Sequence, residues 1–139
     1  MFTGIITSLA KIIDYYRDSN FVNSKVLVIA FDFEPELGES IALNGICLTV
    51  AKVDIGNHDQ KYFCHFNISQ ETLTVTNAQI WQKNMFLNVE RSIRVGDRLS
   101  GHFVYGHVDG IGVVKDISCD FLSVKLPSRK YLVYKGSIS

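Results

Sequence analysis

The chain has 139 residues, enough for one well-buried domain and too few for two of ordinary size. Its composition, 47% hydrophobic and 20% charged, excludes intrinsic disorder, and no apolar run is long enough to cross a bilayer as a helix. Fourteen basic residues balance 14 acidic ones, and this argues against a nucleic-acid binder, which needs a basic face to neutralise phosphates.

The N-terminus carries neither a charged leader nor a small-residue cleavage site, so it does not read as a signal peptide. The first apolar stretch, "GIITSLAKIIDYY" (residues 4–16), is rich in β-branched and aromatic residues at a length that suits a strand. A turn at "RDSN" separates it from a second strand, "SKVLVIAF" (residues 24–31), and "EPELGE" marks the next turn, with Pro35 at a strand end. "SIALNGICLTVAKVD" (residues 40–54) follows, interrupted by Asn44 and Gly45, which read as backbone-shaping residues of a turn or bulge. After a turn at "DIGNHD" comes the strand "KYFCHFNI" (residues 61–68). Only "QETLTVTNAQIWQK" (residues 70–83) has room for a helical turn, and its Thr and Val weaken even that. "MFLNVERSI", a turn at "RVGD", then "GIGVVKDI" and "FLSVKL" complete the strands, with Pro127 just past the last. Many short strands and almost no helix give an all-β chain; spacing alone leaves barrel and sandwich both open. The odd, widely spaced set Cys47, Cys64 and Cys119 reads as reduced thiols of a cytoplasmic protein.

Two patterns point towards a site. In "NGICLTV", Cys47 and Thr49 share one face of a strand, with Ile46 and Leu48 on the other, a repeat of polar groups that suits a barrel mouth binding a polar ligand. In "SGHFVYGHVDGIG" (residues 100–112), His102 and His107 each follow a glycine; Gly101 and Gly106 argue against a helix, and no CxxC pair is present, which disfavours a metal site. There is also a faint internal repeat: "TSLAKIID" (residues 7–14) lies over "DGIGVVKD" (residues 109–116), each followed by a turn and an apolar strand. The histidine stretch is then the junction between two copies.

"MFTGI", "GESIALNGICLTV", "ETLTVTN", "NVERS" and "GHFVYGH" occur in the order and spacing of riboflavin synthase, and the sequence resembles that family over essentially its whole length. The resemblance implies a six-stranded antiparallel Greek-key barrel at residues 1–100. An incomplete second barrel follows at residues 101–139, made of the connection and opening strands. It implies dismutation of two 6,7-dimethyl-8-ribityllumazine molecules to riboflavin and a pyrimidinedione by transfer of a four-carbon unit. No metal or redox cofactor is required, because the substrate ring itself stabilises a carbanion at its 7-methyl group. The protein's task is to hold two rings face to face and to supply acid–base and nucleophilic groups.

The site residues follow from the same resemblance. Cys47 becomes a candidate to assist nucleophilic addition at ring carbon 7, alongside water; without the match, a small buried thiol is the commoner fate. Ser40 matches a serine of the family's site, and His102 a histidine that moves protons. Phe2, Thr3 and Gly4 match a flap beside the ligand, and Thr49 lies with Cys47. Ser69 and Thr72 are candidates for the ribityl chain or ring edge, although helix capping explains Ser69 equally well. Lys135 matches a lysine facing the partner site, and His107 reads as structural.

A second "NGxxLTV" motif, a second "ETL" element and the family's C-terminal helix are missing, so the resemblance implies either a fragment or a chain that binds without efficient turnover, with the fragment favoured. In the family each site forms between barrels of different subunits within a homotrimer, with no nucleic-acid or membrane partner. The competing reading is a non-catalytic lumazine- or flavin-binding protein of the antenna type; retention of Cys47, Thr72 and His102 favours the enzyme. A half-barrel would leave strand edges and Val113, Leu122 and Val124 exposed.

Overall fold

The computed structural model describes residues 1–19, 21–56, 61–136 and 138; part of the "DIGNHD" turn and the last residue of "RDSN" lie outside these. Strands β1 (Ser8–Arg17), β2 (Lys25–Phe31), β3 (Ser40–Leu43), β4 (Ile46–Ile55), β5 (Tyr62–Ile68) and β6 (Phe86–Arg91) close into an antiparallel barrel in the Greek-key order β1-β2-β5-β4-β3-β6. Of barrel and sandwich, the barrel is therefore the outcome. The expected segments all appear, and "SIALNGICLTVAKVD" divides into β3 and β4. Asn44 at φ 48° and Gly45 at φ 80° supply the two consecutive left-handed residues of a tight hairpin turn, a conformation glycine and asparagine tolerate best.

That turn sets the register. Ile41 pairs with Leu48 and Leu43 with Ile46, while Ser40 pairs with Thr49 and Ala42 with Cys47. Strand alternation then sends Ile46, Leu48 and Val50 inwards, where they meet Leu27, Ile29, Phe66, Leu87 and Val89 in one buried core. One end of the barrel is sealed by α1 (Gln70–Val75) and a 3-10 turn (Asn77–Ile80), whose Leu73 and Ala78, with Trp81, join the core. The single place with room for a helical turn thus holds two. Thr76 links them: its Oγ1 donates to the Thr72 carbonyl at 2.6 Å and accepts from the Ala78 N–H at 3.2 Å. Tyr15 donates its hydroxyl to the Ala78 carbonyl at 2.7 Å, and burial raises its pKa to about 12.

Beside the stacked Phe31 and Phe33 rings, Arg91 reaches back from the end of β6 to Glu39 ahead of β3. Its Nε and Nη2 donate to the two carboxylate oxygens at 2.6 and 2.8 Å, and its guanidinium lies 4.6 Å from the centre of the Phe33 ring. Burial alone would raise the Glu39 pKa, but the hydrogen bond from Arg91, the Glu36 N–H and the charges of Arg91 and Arg94 outweigh it and hold the carboxyl below its ordinary value.

Beyond the barrel, β7 (Val113–Ile117) and β8 (Leu122–Lys125) form a separate two-stranded sheet. Both are exposed throughout, Val113 at 54%, Leu122 at 62% and Val124 at 40%, as expected for strands lacking a barrel around them. β1 bulges between Ile12 and Asp14 against β2, and β7 bulges between Val114 and Asp116 against β8. Laying residues 7–14 over 109–116 superimposes the two bulges.

Glu39→Gln keeps the side chain's shape but removes its charge, and is expected to lower the unfolding free energy by about 1–3 kcal/mol at neutral pH, read from urea denaturation. Because the folded-state pKa of Glu39 is depressed, its contribution is complete above the ordinary carboxylate pKa and fades as pH falls through the depressed one. The gap between parent and variant therefore closes on acidification; a gap of constant size would assign the loss to packing instead.

Candidate functional site

The outer wall of the barrel, not its mouth, carries the polar residues of β3 and β4. Cys47 and Thr49 do share a face, as their spacing requires, but the register turns that face outwards, with Ser40 opposite Thr49 and Ala42 opposite Cys47. The barrel interior is filled by the apolar set, with Ile41, Leu43 and Leu48 at 0%, 0% and 5% exposure, so no ring can enter there. The expectation of a ligand cradle in a barrel mouth is corrected on this point: the alternation that fills the core with Leu48 puts Cys47 outside. Cys64 shows the opposite arrangement on β5, fully buried, with burial and then the Glu39 charge pushing its thiol up to about 12.

Two irregular segments lie across this outer wall. The N-terminal one runs along β6, with the Ile93 N–H donating to the Met1 carbonyl and the Thr7 N–H to the Val89 carbonyl at 3.0 and 2.9 Å. It buries Phe2 to 1% exposure. The second comes from the histidine stretch, where the Gly106 carbonyl accepts from the Cys47 N–H at 2.9 Å. The two segments pair with each other: the Phe2 N–H donates to the Val104 carbonyl at 2.7 Å and the Val104 N–H to the Phe2 carbonyl at 3.1 Å. The overlay that matches the two bulges also lays Phe2 on Val104 and Gly4 on Gly106, and both glycines are left-handed, at φ 82° and 72°. The antiparallel Phe2–Val104 bridge therefore joins two positions that this overlay superimposes.

Glycine is required at two points in the histidine stretch. A Cβ on Gly106 would sit 2.9 Å from both the backbone nitrogen and the Cβ of Cys47, and one on Gly101 would collide with the Thr3 carbonyl. His102 is exposed, and its N–H donates to that same Thr3 carbonyl at 2.9 Å. Its side chain lines a cleft of about 380 Å³ with Thr3, Gly4, Gly45, Tyr105 and His107. The His107 and Tyr105 rings lie 6.3 Å apart. No group of three or more His, Cys, Asp or Glu side chains suited to a metal ion occurs among the described residues.

The remaining candidates are dispersed. Ser69 caps α1, accepting from the Thr72 N–H at 3.1 Å, and the two hydroxyls lie 3.0 Å apart, so both serve the helix start. Ser40 also borders a cleft of about 390 Å³ with Glu36, Gly38, Ser92 and Arg94. Lys135 is exposed in a turn at φ 60°, and its Nζ lies 5.9 Å from the Tyr134 ring centre. Phe2, Thr3, Gly4 and His102 are thus brought together, Ser40, Cys47 and Thr49 form the adjoining wall, and Lys135 belongs to neither group. One residue escaped the sequence reading: Glu90, in "NVERS", is only 9% exposed, pairs with Ala42 and holds Thr3 and Gly4. Its signal is the one acid of β6, directly after the inward-facing Val89.

Gly106→Ala is expected to loosen the histidine stretch from Cys47, since a left-handed residue with a Cβ costs about 1–2 kcal/mol before any clash. In a Cys119→Ser background, Cys47 should then react with a thiol reagent roughly fivefold faster or more, as the covering segment opens more often. An unchanged rate would mean that the segment does not shield the thiol.

A family model for the lumazine binding domain matches residues 3–92. The chain is 34% identical to the riboflavin synthase of Chlamydia muridarum, over 100% of this chain and 68% of that protein. It is 33% identical to that of Brucella abortus, over 100% of the chain and 71% of the relative. For Chlamydia trachomatis the identity is 34%, over 100% and 67%. On these matches the chain belongs to the riboflavin synthase family.

Proposed function

We propose that the chain binds 6,7-dimethyl-8-ribityllumazine on the outer wall formed by Ser40, Cys47 and Thr49 and takes part in its dismutation to riboflavin. The observation that carries this reading is the packing of the His102–Gly106 stretch and of Phe2–Gly4 against that same wall. Motifs far apart in sequence thus converge on one surface.

In this reading the ring lies against the wall, held by the hydroxyls of Ser40 and Thr49 and by backbone groups of the two irregular segments. His102 exchanges a proton with the 7-methyl group of one lumazine, giving the carbanion that its ring delocalises. Cys47 or a water adds to carbon 7 of the other, making that ring the four-carbon donor. Carbon–carbon bonds then form between the two molecules and the nucleophile is expelled again from carbon 7. The donor's two ring C–N bonds break, so its four carbons stay in riboflavin, while its nitrogens take up the protons lost from the acceptor's methyl groups and leave in the pyrimidinedione. Two rings must meet face to face, so a second wall of the same kind has to close over the first. We propose residues 1–100 as the lumazine-binding unit, and 101–139 as the connection to a second unit and its opening strands, with Lys135 facing the site of a neighbouring subunit. A cytoplasmic homotrimer with no nucleic-acid or membrane partner follows the family resemblance. Ser69 and Thr72 would reach the ribityl chain only from their exposed faces, since their hydrogen bonds are spent on the cap.

The test is a fluorescence titration with riboflavin and with the lumazine, alongside an assay of riboflavin formation without added cofactor. Binding of both ligands with slow turnover is expected of this chain; absence of binding would overturn the proposal. Cys47→Ser is expected to change affinity little while cutting the rate by about a hundredfold, the scale of a lost catalytic group. An unchanged rate would return Cys47 to packing and leave water as the nucleophile, and binding with no turnover in any assembly would support the antenna-type reading.

A further inference from the structure

Glu90 lies on β6 facing out of the barrel, beside Ala42, on the wall that carries Cys47. A carboxylate with so little exposure must find partners or lose its charge. Its partners are all in the N-terminal segment. Oε1 accepts from the Thr3 N–H at 2.6 Å, the Thr3 hydroxyl at 2.8 Å and the Gly4 N–H at 3.2 Å, and Oε2 accepts from the Gly4 N–H at 3.1 Å. The left-handed φ of Gly4 turns two successive N–H groups towards one point, a backbone nest filled by the side chain of Glu90. Thr3 is therefore gripped at its N–H and hydroxyl, and its carbonyl is left to accept from the His102 N–H at 2.9 Å. The next link is the reciprocal pair between Phe2 and Val104, and beyond it Gly106 on Cys47.

We infer that Glu90 is a positioning residue which, by clamping Thr3 and Gly4, fixes the backbone of His102 and Val104 against the Cys47 wall. The carboxylate touches none of the groups proposed to react; it acts through Thr3. This deepens the proposed function for the role of His102, but the clamp itself is a statement about the fold and is tested apart from any ligand. Charge matters here, because a carboxylate can accept from every donor in the nest, whereas an amide presents one acceptor and one competing donor. Aspartate keeps the charge with a shorter reach.

Amide hydrogen exchange on the full chain, followed by NMR, with a riboflavin titration of the same samples, tests the assignment with Glu90→Gln, Glu90→Asp and Thr3→Val. In Glu90→Gln the amides of Phe2, His102 and Val104 should exchange roughly tenfold faster or more, while those of Leu27 and Phe66 in the barrel stay within about twofold of the parent. Riboflavin affinity should weaken by roughly fivefold or more, and Glu90→Asp should restore part of both losses. Thr3→Val removes only the hydroxyl bond, should shift the same three amides less, and carries the test if Glu90→Gln does not fold. Unchanged exchange at His102 and Val104 would overturn the assignment. So would acceleration spread evenly through the barrel, or loosened amides with full affinity in a chain whose parent binds. A parent that binds neither flavin nor lumazine would instead sink the proposed function, leaving the exchange measurements to decide the clamp.

Discussion

Two backbone hydrogen bonds between Phe2 and Val104, with a third from the His102 N–H to the Thr3 carbonyl, tie together two parts of the chain far apart in sequence. Each residue belongs to a segment without regular structure, and neither segment has a sheet of its own. What holds them is the wall beneath. Burying the Phe2 ring contributes about 2–3 kcal/mol, and the Glu90 carboxylate satisfies the donors that a bent strand leaves over. Ala42 faces outwards yet is only 4% exposed, and it lines a cavity of about 230 Å³ with Phe2, Gly4, Val104 and Gly106. The geometry around Cys47 and His102 is therefore set by a covering layer and not by the barrel strands alone.

The barrel contributes a fixed direction for each side chain. The tight turn at Asn44 and Gly45 leaves one register for β3 against β4, and a slip of one residue would exchange Leu48 for Cys47 in the core. The two thiols show what that direction decides. Cys64, turned inwards, is a small apolar filler whose ionisation burial suppresses; Cys47, turned outwards, is half-buried with Gly106 packed against it. The same side chain fills the core in one place and forms part of the wall in the other.

The second sheet shows the same sequence logic without the same surroundings. β1 and β7 carry matching bulges, each just before an aspartate, yet β1 is held between β2 and β6 while β7 pairs, among the described residues, with β8 alone. Local pattern therefore suffices to form a bulged hairpin. Burial does not follow, because the apolar faces of Val114 and Val124 need strands packed against them before they become core.

Much was legible in the chain itself. Strand positions, the turn at Asn44 and Gly45 and the shared face of Cys47 and Thr49 depend on neighbours one or two residues away, and the sequence states them directly. Glycine at positions 101 and 106 likewise spoke against a helix there. Whether the face of Cys47 looks into the barrel or away from it depends on how six strands close, a long-range choice that alternation leaves undetermined. The pairing of Phe2 with Val104 and the grip of Glu90 on Thr3 and Gly4 are also decided in three dimensions. They join residues from opposite ends of the barrel sequence, whose proximity is fixed only when the sheet closes and leaves a buried carboxylate that two backbone N–H groups and a hydroxyl can satisfy.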